Sequence, residues 1–193
     1  HAATCASRVY NYAIKMEHTH QNPWAKIERY STPQRKVVWQ HSDVIRFLDK
    51  AYSDYEYRNV GLIVQMAYEW CQRLGDMRTL QWENIDLATR VLTLEQSKRR
   101  ADVSLPISDE LVTMLNEQRK DFGFQEYVVP HPNPTMGKYE PYAMERLSKV
   151  GRRVMRLAGL PEELRLMDLR RTGVTQMIDS GVPMGQLMSV TGH

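Results

Sequence analysis

The stretch Arg90-Val91-Leu92-Thr93-Leu94-Glu95, with Asp102-Val103-Ser104-Leu105 shortly after it, decides the fold. Apolar and polar residues alternate through both runs, the period of two that turns one face of a strand to a core and the other to water. The basic tip Ser97-Lys98-Arg99-Arg100-Ala101 between them makes the pair an antiparallel β-hairpin. Outward from the hairpin the period is helical. Downstream, Ser108 opens a helix carrying Leu111, Met114 and Leu115. Tyr127-Val128-Val129 reads as a short strand, and residues 130–141, with four prolines and Gly137, read as a loop. Helices follow over residues 142–158 and 168–180, with Gly159 and Gly181 placed as C′ glycines. A last short helix begins near Pro183 and carries Leu187 and Met188.

Upstream, Ser42 is placed to cap a helix holding Val44, Ile45, Leu48 and Ala51. Residues 59–71 form a second, with Val60, Ile63, Val64 and Ala67 on one face, and a third, shorter run holds Met77, Leu80 and Trp82. Residues 3–16 make the first helix, with Val9, Tyr12, Ala13 and Met16 as its stripe, ended by Asn22-Pro23. One hairpin among helices predicts an α+β fold, mainly helical, with a small antiparallel sheet. The expected organisation is the tail of a preceding helical domain over residues 1–24, a basic linker over 25–40, and a main domain over 41–193.

At 193 residues the chain can bury one good-sized core. With 42% hydrophobic and 25% charged residues, the disordered and fibrous classes are excluded. No apolar run is long enough to cross a bilayer, and no signal-peptide layout opens the chain. Starting at His1 without methionine, it reads as a piece of a longer protein. Two cysteines build no disulfide framework, so a reducing, cytoplasmic setting is expected. The net charge of +3 points only weakly to nucleic acid, but its distribution says more. Residues 144–171 hold eight lysines and arginines against four carboxylates, and residues 1–40 hold six against two. Segregated positive charge fits a polyanion, although any one such run also suits a solvated helix face.

Four residues stand out inside this pattern. Arg73, at the end of an apolar helix, has Asp76 three residues on to orient it, an arrangement that also serves as a plain structural ion pair. Lys98 sits at the hairpin tip, either as a solvated turn residue or as a mobile ammonium able to reach a phosphate or protonate a leaving oxygen. Arg170 falls in the first turn of an apolar helix, a position suited to anions and equally to a satisfied surface arginine. His193 follows Gly192 after the last short helix. His18 and His20 form an H-x-H pair without further ligands nearby, so they read as loop and no metal site is expected.

Taken together these parts resemble the catalytic domain of the tyrosine recombinases, the phage-integrase family, over residues 37–193. The first family arginine falls on Arg73, followed by Leu80-Gln81-Trp82-Glu83-Asn84-Ile85-Asp86, close to the family's Leu-x-Trp-x-Asp-Ile-Asp. The hairpin lysine falls on Lys98, the His-x-x-Arg box on Met167 to Arg170, and the Leu-Gly-His box on Thr191-Gly192-His193. The helix ending in Asn22-Pro23-Trp24 is similar to the tail of the family's helical core-binding domain.

The resemblance implies site-specific DNA strand cleavage and rejoining through a 3′-phosphotyrosyl intermediate, with no metal, nucleotide or other cofactor. Arg73, Arg170 and His193 would hold the phosphate and Lys98 would protonate the leaving 5′-oxygen. The implied partners are double-stranded DNA carrying recombination sites and further protomers, tetrameric on DNA, with no membrane. DNA contacts are expected from the basic positions Arg35, Lys36, Arg99, Arg100, Arg152, Arg153 and Arg171. Two departures stand beside the match. Met167 replaces the box histidine, and a thioether moves no proton at neutral pH. The family tyrosine belongs about ten residues after His193, so the nucleophile is expected beyond this stretch, which alone should hold DNA without cutting it. A recombinase-derived DNA-binding protein without catalysis is the alternative. A helical domain with no nucleic-acid role is the third.

Overall fold

A computed structural model describes residues 2–27, 33, 35–98, 100–131 and 138–192, so Arg99 and His193 lie outside the described residues. The chain divides into two units, residues 1–36 and residues 37–193.

The first unit is built on helix α1 (Ala2–Lys15). It ends with Glu17 in the left-handed region at φ 60°, and the His18 N–H reaches back to Ala13 O at 2.9 Å. Asn22 folds the following turn onto the helix, its Nδ2 donating to Asn11 Oδ1 (2.7 Å) and to Ser7 O (3.1 Å).

The second unit holds helices α2 (His41–Tyr52), α3 (Tyr55–Glu69), α4 (Leu74–Arg78), α5 (Asp109–Phe122), α6 (Met144–Leu157), α7 (Leu169–Asp179) and α8 (Met184–Thr191). A sheet of β1 (Ile85–Asp86), β2 (Val91–Glu95) and β3 (Asp102–Pro106) is inserted between α4 and α5, in the order β1-β2-β3 and antiparallel throughout. In the hairpin Leu92 pairs with Leu105 and Leu94 with Val103, and all four are buried, as alternation requires.

Helix α3 is buried on every face from Asn59 to Ala67, which makes it the axis of the core. Among the described residues no helix is long and apolar enough to cross a membrane. Trp39, in the stretch read as linker, is buried, its backbone N–H bonded to Thr172 Oγ1 (3.0 Å) and its indole to Arg165 O (3.1 Å).

Several expected elements differ in detail. The cap of α2 is Gln40, not Ser42, because Asp43 reaches back to the Gln40 N–H at 3.1 Å. Helix α3 starts earlier than expected, at Tyr55, capped by Asp54. The run toward Trp82 splits into α4 and a 3-10 turn over Trp82–Asn84. Tyr127-Val128-Val129 forms no strand: Tyr127 makes only an isolated bridge to Gln81. The Ser108 cap is present, its hydroxyl accepting from Leu111 N (3.2 Å), and Gly159 and Gly181 have positive φ just past their helices.

Candidate active site

The site begins where α3 stops. Cys71 takes the left-handed conformation at φ 51°, which costs a side chain with a β-carbon roughly 1–2 kcal/mol. The bond from Gln72 N to Ala67 O (3.1 Å) closes this turn. The turn redirects the chain so that Gln72 goes inward and Arg73 takes the N-cap position of α4. The Cys71 thiol is buried, and burial, opposed by nearby Arg170, pushes its ionisation up to about 11. It is a packing group, not a nucleophile.

Arg73 is held from two sides by its own neighbourhood and by the hairpin. Its Nη1 donates to Gln96 Oε1 at 3.1 Å and lies 3.7 Å from the buried Asp76 Oδ2. The other Asp76 oxygen accepts from the Ser97 hydroxyl. Gln96 Nε2 donates onward to Gln72 Oε1 (2.7 Å) and to the Thr191 carbonyl (3.1 Å), while Gln72 Nε2 donates to Val190 O (2.8 Å). Arg170 reaches the same Thr191 carbonyl from α7, with Nη2 at 2.6 Å. Two arginines far apart in sequence are thereby tied to the C-terminal end of α8.

Two glycines make these approaches possible. A Cβ on Gly173 would stand 2.5 Å from Tyr68 O, so only glycine lets α7 lie this close to α3. Gly192 ends α8 at φ 63°, and a Cβ there would meet Gln96 Oε1 at 2.8 Å.

Arg73 and Arg170 line one cleft of about 400 Å³ with Arg152, Arg165, Ser148 and an apolar floor that includes Leu147, Met155 and Leu166. Four arginines and no acidic residue line it. A tetrahedral dianion or phosphodiester matches that donor set, because guanidinium groups bind such oxygens in pairs. Met167, 71% exposed, stands at the rim where the resemblance expects a histidine. Among the described residues no group of His, Cys, Asp and Glu could hold a metal ion.

The remaining expected residues are placed as follows. Lys98 is exposed, two residues past Gln96 at the hairpin turn, and does not line the cleft. Arg100 is exposed, and its backbone N–H closes the turn on Gln96 O at 2.8 Å. Arg152 donates to the Glu162 and Leu164 carbonyls (3.0 and 3.2 Å) and lines the cleft. Arg153 does not line it: its guanidinium lies 3.6 Å from Glu56 and over the Tyr57 ring. Arg171 is exposed on α7 beside Arg170. Arg35 and Lys36 belong to the first unit. His193 and Arg99 lie outside the described residues.

Sequence reasoning missed Gln72, Gln96 and Arg165. Gln96 carried a readable signal: the alternation that turns Leu92 and Leu94 inward continues to Gln96, so a glutamine had to be buried there.

Comparison with solved structures agrees with this architecture. The chain superposes on a lambda integrase in a dimer bound to a COC′ core site with a TM-score of 0.74 at 18% identity, over 99% of this chain and 70% of that one. An integrase of the Tn1549 transposon in complex with circular intermediate DNA gives 0.70 at 15%, over 97% and 68%. The integrase of mycobacterium phage Brujita gives 0.62 at 19%, over 99% and 61%. In a longer lambda integrase chain the matched part is 54% of the length. No curated protein matches. The sequence model of the phage integrase family matches residues 39–193, a span that takes in the hairpin, all four cleft arginines and the α8 end, and on that match the chain belongs to the phage integrase family.

Proposed function

We propose that this chain supplies the catalytic domain of a site-specific recombinase that cleaves and rejoins duplex DNA through a 3′-phosphotyrosyl intermediate. The observation that carries the reading is the cleft itself, in which Arg73 and Arg170 share a wall without carboxylates. A tyrosine, as its phenolate, attacks the scissile phosphorus, the bond to the 5′-oxygen breaks, and charge builds on the non-bridging oxygens. Arg73 and Arg170 donate to those oxygens, more strongly as the charge grows. Lys98, on the hairpin whose Gln96 bonds Arg73, gives its proton to the departing 5′-oxygen. His193 adds a donor by its place in the family pattern. Because the phosphotyrosyl bond conserves the energy of the broken one, the reverse attack by a 5′-hydroxyl rejoins the strand without a cofactor.

No tyrosine lines the cleft among the described residues; in the family pattern the attacking tyrosine comes about ten residues after the histidine that falls on His193. Residues 1–24 are the tail of a core-binding domain and the linker runs from 25 to 36, short of the expected 40, because Trp39 is bonded to Thr172 and Arg165 inside the second unit. Arg35, Lys36, Arg99, Arg100, Arg152 and Arg171 contact DNA phosphates, making affinity strongly salt-dependent. Solved relatives include a lambda integrase dimer on a core site and a tetramer bound to a Holliday junction, which supports duplex DNA and further protomers as the partners here.

The test offers nicked recombination-site duplex to the complete gene product and measures covalent protein–DNA adduct. Arg73→Ala and Arg170→Ala should each lower its rate by about 10²–10³-fold. Full adduct formation by both variants, or none by the natural protein, overturns the reading.

Met167 at the cleft rim favours a second reading, a DNA-binding protein without cleavage. Met167→His separates the two. Faster adduct formation means an active site short of one proton carrier, whereas salt-sensitive binding with no adduct in either form supports the binder.

A further inference from the structure

Gln96 is completely buried, yet both ends of its amide are engaged, and the chemistry of its neighbours fixes which end faces which. Arg73 can only donate, so the atom 3.1 Å from its Nη1 must be the Gln96 oxygen. The Thr191 carbonyl can only accept, so the atom 3.1 Å from it must be the Gln96 nitrogen. The same logic orients Gln72, whose nitrogen faces the Trp70 and Val190 carbonyls (both 2.8 Å) and whose oxygen therefore faces Gln96 Nε2. Hydrogen-bond direction thus runs one way, from Arg73 through Gln96 to the end of α8. Gly192 presses on the same amide, so nothing larger than its hydrogen fits between the α8 end and Gln96.

We propose that Gln96 is a positioning residue that makes the aim of Arg73 and the seating of α8 one cooperative unit. Its oxygen fixes the Arg73 guanidinium at the cleft wall. Its nitrogen, with Arg170, clamps the Thr191 carbonyl two residues before His193 in the chain. An anion held by Arg73 therefore steadies α8, and a loosened α8 lets Arg73 swing. By linkage the two effects are equal in free energy. The functional half of this inference rests on reading Arg73 as a phosphate ligand.

The experiment uses sulfate as a phosphate-like probe that does not titrate. Arginine Nε–Hε resonances of Arg73 report sulfate binding, and amide exchange at Val190, Thr191 and Gly192 reports α8. Gln96→Glu keeps the side-chain shape and the oxygen facing Arg73 but removes the donor to Thr191. Gln96→Leu removes both ends, and Gln72→Leu checks the second amide should either variant fold poorly.

In the natural protein sulfate should slow α8 exchange. In Gln96→Glu exchange should be at least tenfold faster despite conserved packing, sulfate affinity at Arg73 should fall about tenfold, and added sulfate should no longer protect α8. A residue that merely fills space would leave α8 exchange unchanged in the isosteric Glu variant, and that result overturns the proposal. If Gln96→Glu loosens α8 while sulfate never perturbs Arg73, the clamp stands and the phosphate reading of Arg73 fails.

Discussion

Gly173 lies so close to Tyr68 that an added Cβ would stand 2.5 Å from the Tyr68 carbonyl oxygen and 2.7 Å from Cys71 Sγ. The first contact is with a backbone oxygen, so no side chain can rotate away to relieve it. Gly173→Ala must push α7 off α3, and Arg170 is carried on that helix three residues earlier. Overpacking of this kind costs about 1–3 kcal/mol. The expected result is a lower denaturant midpoint with an unchanged slope, together with weaker anion binding at the cleft. An unshifted midpoint would show that the two helices do not meet this closely.

Arg152 and Arg153 are neighbours in sequence with different surroundings. Arg152 lines the cleft, whereas Arg153 lies by Glu56 and over Tyr57. If cleft arginines meet DNA phosphates, Arg152→Gln should reduce the slope of log affinity against log salt by about 0.9, one phosphate contact. Arg153→Gln should leave that slope unchanged. Equal slopes for both variants in a salt titration of duplex binding would remove Arg152 from the interface.

These contrasts mark what the sequence can disclose. The hairpin was legible because strict alternation is a local property, and so was the Ser108 cap, whose bond spans three residues. The α2 cap was misread because a serine outranks a glutamine as a cap, whereas here the Asp43 carboxylate satisfies the Gln40 N–H. The Tyr127 strand failed because a short run of strand-favouring residues cannot say whether a partner strand exists, and Gln81 offers a single bridge. Nothing in a cysteine announces a left-handed turn, so the bend that launches Arg73 was invisible. The nearness of Arg73 to Arg170 depends on three segments folding together. Only the family pattern, not local chemistry, could pair them in advance.

The two cysteines should separate cleanly by labelling. Cys5 is exposed, while Cys71 is buried with its ionisation pushed up to about 11. At pH 8 the reactive thiolate of Cys71 is then on the order of one part in a thousand, before any steric protection. One rapid equivalent of iodoacetamide is expected under native conditions and two in denaturant. Two rapid equivalents in the folded protein would contradict the packing of Cys71 against α7.

Glu69 gives the fold a pH dependence of definite sign. Its carboxylate sits between α3 and the start of α5, accepting from Ser108 Oγ (2.6 Å) and Gln65 Nε2 (2.7 Å). Burial is the main cause that raises its pKa. Those two hydrogen bonds pull it back in part, and the charge of Glu110 raises it further. A carboxylate whose pKa is higher folded than unfolded stabilises the fold fully below the unfolded value and loses that contribution as pH rises through the folded one. Asp86, exposed and held below the usual carboxylate range by the Thr89 and Ala88 N–H groups, contributes the opposite slope. The raw stability curve therefore mixes the two, and the informative quantity is the difference between the natural protein and Glu69→Gln at each pH. That difference should turn against the natural protein as pH climbs from the ordinary carboxylate pKa through the raised one, then level off. Glu110→Gln should move the same step to lower pH by removing the neighbouring charge. Urea unfolding across this range measures both, and a difference independent of pH would mean that Glu69 ionises as freely in the folded protein as in the unfolded chain.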